Sequence, residues 1–329
     1  SAANDALDAA CLVVEAGEVV EAGEVVEAGE VVEAGGVDEA TVAEARRVLA
    51  GALAPGDGPR HTQLAVGNSH LDTAWLWPLR ETRRKAARTF STATTFLERE
   101  PDYRFAASQA QQFEWIRDDQ PELWDRIRYH VASGRFELVG STWVEPDCNV
   151  PSGESLVRQI VHGKRFFRDE LGVDTPGLWL PDTFGYSAAL PQILRHAGID
   201  WFMTQKLSWN EVNQFPHHSF WWEGIDGTRV FTHLPPADTY NGDFSVANLR
   251  HAERNAEQRD RLGTSLYLYG HGDGGGGPDI DMLERARRLA DVDGLGRIEL
   301  ATAGEAMDRL RAEGDEVDLP VWVGELYLE

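Results

Sequence analysis

Cysteine is nearly missing from this chain of 329 residues. Cys11 and Cys148 stand far apart with no CxxC pair, which leaves no disulfide framework and no thiolate zinc site to read. A reducing cytoplasm suits such a chain. Basic residues are in deficit too: 31 Lys and Arg face 55 Asp and Glu, a formal net charge of −24. That balance argues against nucleic acid as a partner, because holding a phosphate backbone needs a surplus of cations. No apolar run approaches the ~20 residues that cross a bilayer, and the opening SAANDALDAACLVVEAGEVV has no basic stretch of the kind that begins a secretory signal. A soluble, cytoplasmic protein with no membrane partner is therefore expected.

What is present begins with a repeat. From Val13 to Gly36 the hexad VVEAGE recurs, closing as VVEAGG, and no Lys or Arg precedes Arg46. A period of six matches neither the 3.6 of a helix nor the 2.0 of a strand. Residues 1–60 therefore read as an acidic low-complexity segment with a short helix over 41–53. A stacked solenoid is disfavoured, since its units normally need ~20 residues. Past the breaker PGDGPR the pattern becomes regular. Short apolar runs at 64–68, 104–108, 136–140, 177–181, 201–205, 229–234, 265–270 and 297–301 alternate with stretches of helical spacing such as RETRRKAARTFSTATTFLERE. This alternation predicts an α/β fold with a parallel sheet covered by helices, closed at this length into a β/α barrel over 61–329.

In such barrels the loops after the C-terminal strand ends carry the chemistry. The polar outliers fall there: His70 and Asp72 after the first run, Asp182 after GLWLP, Lys206 after WFMTQ, His233 closing RVFTHL, and His271 with Asp273 after SLYLYG. Residues two apart in an extended segment share a face, so His70 and Asp72 can aim an imidazole and a carboxylate at one point. With Asp182 they form a nitrogen and oxygen donor set suited to Zn²⁺, leaving a position open for substrate. The plainer alternative is that Asp72 caps a helix starting at Thr73. Trp75, Trp77 and Phe184 suit either a core or a pocket in which sugar rings stack their apolar faces. Lys206 is either a surface lysine or a cation that lowers the pKa of a nearby carboxylate. The run GHGDGGGGP lacks the Gly-Lys-Ser/Thr ending of a phosphate loop. Its glycines would instead let backbone approach a ligand while Asp273 is set in the barrel mouth. Two carboxylates, Asp182 and Asp273, suit glycoside hydrolysis, one attacking the sugar and the other protonating the leaving oxygen.

Through NSHLDTAWLWP, GRFELVGSTWVEPDCNVPSGESLVRQ, LWLPDTFGYSAALPQIL, MTQKLSWN, FWWEGIDGTRVFTHLPP, GHGDGGGGP and VWVGELYLE, residues 62–329 resemble the glycoside hydrolase family 38 α-mannosidases, more closely their cytosolic or bacterial branch. The resemblance implies a seven-stranded α/β barrel and a retaining enzyme that removes terminal α-linked mannose from oligosaccharides. It also implies one zinc ion per chain, gripping the 2- and 3-hydroxyls of mannose. In that reading His70, Asp72 and Asp182 are zinc ligands, Asp182 is also the nucleophile, and Asp273 is the general acid. Trp75, Phe184, Lys206, His233, Tyr240 and His271 are the substrate-binding candidates. The family pattern continues past GELYLE into a helical domain that supplies a further zinc histidine, then into β-sandwich domains. A fourth ligand is thus expected beyond Glu329, with His271 or His233 as less favoured substitutes; the hexad repeat is foreign to the pattern. A polysaccharide deacetylase, in which zinc activates water, and a truncated, non-catalytic mannoside-binding barrel are the alternatives, and a homo-oligomer is left open.

An acidic repeat of this kind buries little apolar surface and orders few residues. Deleting residues 1–40 is therefore expected to leave the melting temperature nearly unchanged in calorimetry, whereas a drop of many degrees would show that the hexads dock on the folded body.

Overall fold

The computed structural model describes residues 60–328, so the hexad repeat, the helix expected over 41–53 and nearly all of the 1–60 segment lie outside the described residues. The elements follow in the order β1 (Thr62–Gly67), α1 (Leu79–Arg99), β2 (Phe105–Ala107), α2 (Ala110–Asp119), α3 (Pro121–Ala132), β3 (Phe136–Leu138), α4 (Gly153–Leu171), β4 (Gly177–Trp179), α5 (Leu190–His196), β5 (Trp201–Met203), a 3-10 turn (Lys206–Trp209), β6 (Ser219–Glu223), β7 (Arg229–His233), α6 (Val246–Asn255), β8 (Thr264–Tyr269), α7 (Ile280–Arg288), β9 (Arg297–Leu300), α8 (Ala303–Asp315) and β10 (Val321–Val323). Each apolar run read as a strand is one. β6 and β10 are not among them, although for β6 Asp226-Gly227 between two aromatic-rich stretches is a hairpin signal. There Gly227 takes a φ of 81°, Asp226 Oδ1 accepts the Thr228 N–H at 3.0 Å, and β6 runs antiparallel to β7.

The remaining pairings are parallel. They divide the strands into three sheets, β8-β1-β9, β2-β3 and β10-β6-β7-β5-β4. Among the described residues no ladder joins β3 to β4 or β7 to β8, so backbone hydrogen bonds do not draw the closed seven-stranded ring that was expected. A single-residue bridge from Asn68 to Ala106 ties the first sheet to the second.

Side chains continue where the ladders stop. Successive residues of a strand face opposite ways, and here the two faces feed different clusters. Leu64 and Val66 of β1, Ala106 of β2, Trp179 of β4, Trp201 and Met203 of β5, Phe231 of β7 and Leu266 and Leu268 of β8 meet in one inner cluster, joined by Met307 and Leu310 of α8. The alternate residues, such as Phe105, Phe136, Tyr267 and Tyr269, pack outward against α1, α2, α3, α6 and α7. Leu178, Phe202, Phe220 and Trp222 do the same toward α4 and α5. Each large side chain taken fully out of water contributes on the order of 2–3 kcal/mol. The helices that bring these faces together start on definite signals. Ser152, Ser245, Asp279 and Thr302 cap α4, α6, α7 and α8 with their side chains, and Thr302 with Glu305 completes a capping box.

Two buried histidines seal the seam beside β7. Both ring nitrogens of His233 are engaged: Nδ1 meets Ser219 Oγ at 2.8 Å, and Nε2 accepts the Leu266 N–H of β8 at 3.1 Å. His233 thus bridges two strands that share no ladder. His218 accepts the Glu257 N–H on Nδ1 at 3.2 Å, and burial first, then the neighbouring His251 and His217, pushes its pKa down to about 4. A folded pKa below the unfolded value means stabilisation that is complete above pH ~6.5 and is lost as the pH falls toward 4, by about 3 kcal/mol at most. In His218→Asn the amide oxygen can take the place of Nδ1 without titrating. Its melting temperature should therefore fall less than that of the wild type between pH 6.5 and 4; parallel profiles would remove His218 from this role.

Candidate active site

The parallel strands β1, β3, β4, β5 and β8 end at one side of the molecule, and the loops that leave them meet there. His70 and Asp72 follow β1, Glu145 follows β3, Asp182 follows β4, Lys206 opens the turn after β5, and Asp273 follows β8. One donor atom from each of His70, Asp72, Asp182 and Asp273 lies within 4.8 Å of the others. Asp72 caps no helix, because α1 begins only at Leu79 with Pro78 before it. Instead the Asp72 N–H donates to the Asp273 carbonyl at 3.1 Å, which ties the β1 loop to the β8 loop. Gly270 allows that approach: its φ is 124°, and a Cβ there would lie 2.2 Å from the Asn68 carbonyl oxygen. The glycines after Asp273 were expected to open backbone to a ligand. They close on the protein itself, since a Cβ on Gly275 would meet Thr89 Oγ1 at 2.5 Å and His271 bridges to Gly277.

His70 is the hub. Its Nε2 lies 3.4 Å from Asp72 Oδ1 and 3.4 Å from Asp182 Oδ2, and its Nδ1 lies 3.0 Å from Glu145 Oε2. None of these approaches completes an aligned hydrogen bond, so both buried ring nitrogens remain without one. Asp182 Oδ1 contacts the ammonium of Lys206, which is only 1 % exposed. That ammonium also sits 3.4 Å from the centre of the Trp209 ring and 4.6 Å from that of Phe184, distances at which a cation is attracted to a ring face. Burial works to raise the Asp182 pKa, but the close contacts and charges of His70 and Lys206 outweigh it and hold the carboxylate below its usual value. Burial likewise opposes a charged His70, yet Glu145 first, then Asp182 and Asp72, lift its pKa well above the ordinary imidazole value.

The residues fit a divalent cation. Four carboxylates, those of Asp72, Glu145, Asp182 and Asp273, gather around one imidazole and one ammonium, and such a half-buried excess of negative charge favours a cation. The two 3.4 Å separations from His70 Nε2 match the edge of a tetrahedron with bonds of ~2.1 Å. One nitrogen with carboxylate oxygens is a donor set that several divalent metals accept.

The substrate-binding candidates separate into groups. Tyr240 reaches the cluster: its ring centre is 4.8 Å from that of His70, and its hydroxyl donates to Asp273 Oδ1 at 2.7 Å. Phe184 and Lys206 are there as well, and Trp75 is half exposed, meeting Trp77 edge-on at 5.1 Å. His233 is not brought to the cluster; it is fully buried in the seam between β7 and β8. His271 points instead to Asp279 Oδ2 at 3.2 Å and is exposed, so neither histidine joins the donor group. Sequence reasoning missed Glu145 and Trp209. Both stood in stretches already singled out, Glu145 in TWVEPDCN and Trp209 three residues after Lys206, but nothing in their spacing pointed to His70 or to the ammonium.

Residues 60–325 match the family described as glycosyl hydrolases family 38 N-terminal domain. Over 274 residues the chain is 50% identical to alpha-mannosidase 2C1 of Mus musculus, covering 83% of this chain and 26% of that protein. It is 45% identical over 272 residues to the alpha-mannosidase of Saccharomyces cerevisiae, covering 80% of this chain and 25% of that one. The chain thus spans about a quarter of the length of these curated relatives. The crystal structure of an alpha-mannosidase from Enterococcus faecalis shares the fold, with a TM-score of 0.67 at 20% identity over 81% of this chain and 31% of that one. No helix among the described residues is long and apolar enough to cross a membrane. The resemblance read from the motifs is borne out by a match that spans the described body and its whole donor cluster: this chain belongs to the glycosyl hydrolases of family 38.

Proposed function

We propose that residues 61–329 form the catalytic domain of a zinc-dependent retaining α-mannosidase, acting on terminal α-linked mannose of oligosaccharides. The inner cluster shared by strands of all three sheets supports a barrel-like arrangement, although its ladders are interrupted. The observation that carries the activity is the junction of His70, Asp72 and Asp182 with a buried Lys206 beside half-exposed aromatic rings. His70, Asp72 and Asp182 would hold the zinc ion, one per chain, with Asp273 at the edge of the same group. Bound there, the ion would take adjacent sugar hydroxyls and help distort the ring toward an oxocarbenium-like state.

The side chains divide the remaining work. Asp182, kept ionised by the Lys206 ammonium at one oxygen, attacks the anomeric carbon as the glycosidic bond breaks. Asp273 gives its proton to the leaving oxygen, then takes one from the water that releases the sugar, and Tyr240 orients it through the 2.7 Å hydrogen bond. The reading is supported by spacing. One oxygen of Asp182 and one of Asp273 lie within 4.8 Å of each other, in keeping with the short separation of a retaining pair, where an inverting pair keeps its carboxyl groups ~6.5 Å or more apart. Phe184, Trp209 and Trp75 offer apolar faces to a sugar. A deacetylase would need an aspartate as base toward metal-bound water, a task ill-suited to a carboxylate held ionised by an ammonium at contact distance. A cytoplasmic location is consistent with the paucity of cysteine.

Asp182→Asn keeps the size of the side chain and removes the attacking charge. It should abolish hydrolysis of an aryl α-mannoside while circular dichroism stays native, and it should also weaken zinc binding; turnover like that of the wild type would refute the assignment. A fluorinated mannosyl donor should leave a covalent adduct on Asp182, detectable by mass spectrometry after digestion, whereas a deacetylase would show none.

His70→Ala and Asp72→Ala each take away one donor from a small set. Elemental analysis should find zinc content reduced in both, and an unchanged stoichiometry in the pair would mean that these residues hold the loop and not the ion.

A further inference from the structure

We propose that Glu145 is the positioning residue for His70: its carboxylate keeps the imidazole proton on Nδ1 and so turns the Nε2 lone pair toward Asp72 and Asp182. The proposal rests on the zinc reading of the cluster and adds to it a residue outside the donor group.

A neutral imidazole carries its proton on one nitrogen, and the partner of the other nitrogen decides which. On the Nε2 side of His70 stand Asp72 Oδ1 and Asp182 Oδ2, each at 3.4 Å; on the Nδ1 side stands Glu145 Oε2 at 3.0 Å, the nearest of the three oxygens, although none of them is aligned as a hydrogen bond. With carboxylates on both sides, the ring could face either way. Glu145 breaks the tie because it is fastened elsewhere. Its Oε1 accepts the Ser108 hydroxyl at 2.5 Å, and its backbone N–H donates to Gln109 Oε1 at 3.2 Å. Gln109 holds a left-handed φ of 69°, a costly conformation for a residue with a side chain, and its Nε2 donates to the Leu71 carbonyl at 2.9 Å. Gln112 Nε2 donates to the same carbonyl at 2.8 Å. Glu145 and the His70–Asp72 segment are therefore gripped by one set of side chains, and the distance between Glu145 and His70 is set by that grip.

Glu145 is not itself a donor in the cluster, which consists of His70, Asp72, Asp182 and Asp273. Its side chain is only 7% exposed, and the His70 imidazole is the ionisable group that meets it. A buried carboxylate whose other contact is a neutral hydroxyl is costly unless it does something for the imidazole. Carboxylates behind metal-bound histidines raise the basicity of the ring and fix its orientation, and losing one typically weakens metal binding by about 10- to 100-fold.

The test uses the full 329-residue chain as wild type, Glu145→Gln and Glu145→Ala. Zinc affinity is measured by competition with a chromophoric chelator, and the melting temperature of each metal-free form is recorded alongside. Glu145→Ala should bind zinc about 10- to 100-fold more weakly, and Glu145→Gln, which keeps an acceptor but no charge, about 10-fold more weakly. Variants that melt at lower temperature yet bind zinc as tightly as the wild type would reduce Glu145 to a packing residue and overturn the proposal. Should Glu145→Ala fail to fold, the same titration of Glu145→Gln decides, and unchanged affinity there overturns the proposal as well. If the wild type binds no zinc, the metal reading of the whole cluster fails with it; if the wild type binds and the variants match it, only the role of Glu145 does.

Discussion

A buried ammonium must have an anion, and this requirement organises the site. Lys206 is 1 % exposed and reaches Asp182, so the pair can be broken only at a cost of about 3–5 kcal/mol for the charge left behind. The aromatic rings of Trp209 and Phe184 cover the ammonium and exclude water from it. Asp182 is thereby held ionised at one oxygen, while its other oxygen is turned to His70. Each further member of the cluster is placed relative to that carboxylate. His70 is fixed between Asp182 and Glu145, Asp72 joins it from the same loop, and Asp273 is drawn in by the Tyr240 hydroxyl and by the backbone bond from Asp72.

The fold supplies this arrangement because parallel strands send their C-terminal ends the same way. β1, β3, β4, β5 and β8 are short, but their alternation puts one face into a common inner cluster and the other against helices. With both faces buried, a strand cannot slip by one residue without exposing its core set, and so the loop after it starts from a defined point. Precision at the site therefore derives from burial of side chains well away from it.

Closure of the fold does not rely on the backbone alone. Where no ladder joins β7 to β8, the ring of His233 takes the Leu266 N–H, and its other nitrogen holds Ser219 of β6. A histidine that ends a strand and is followed by a loop looks like a site residue from its position; packed between three strands, it has no lone pair to offer a ligand. His271 differs in the opposite sense, being exposed and paired with Asp279 outside the cluster. Both cases show how residue type and strand-end position overcount candidates when the direction of the side chain is unknown.

Local regularities were legible in the amino-acid order. The apolar runs marked the strands, apart from β6 and β10, and the His-x-Asp spacing put His70 and Asp72 on one face. The family was legible as well, because long motifs in a fixed order are specific. What only the tertiary structure decided were the meetings across long stretches of chain: Glu145 behind His70, Trp209 over Lys206, Tyr240 on Asp273, and the three-sheet division of the strands. The reason is physical. Periodicity and capping act over a few residues and are written in neighbours, whereas the partner of a buried charge is chosen by which strand ends the packing brings together.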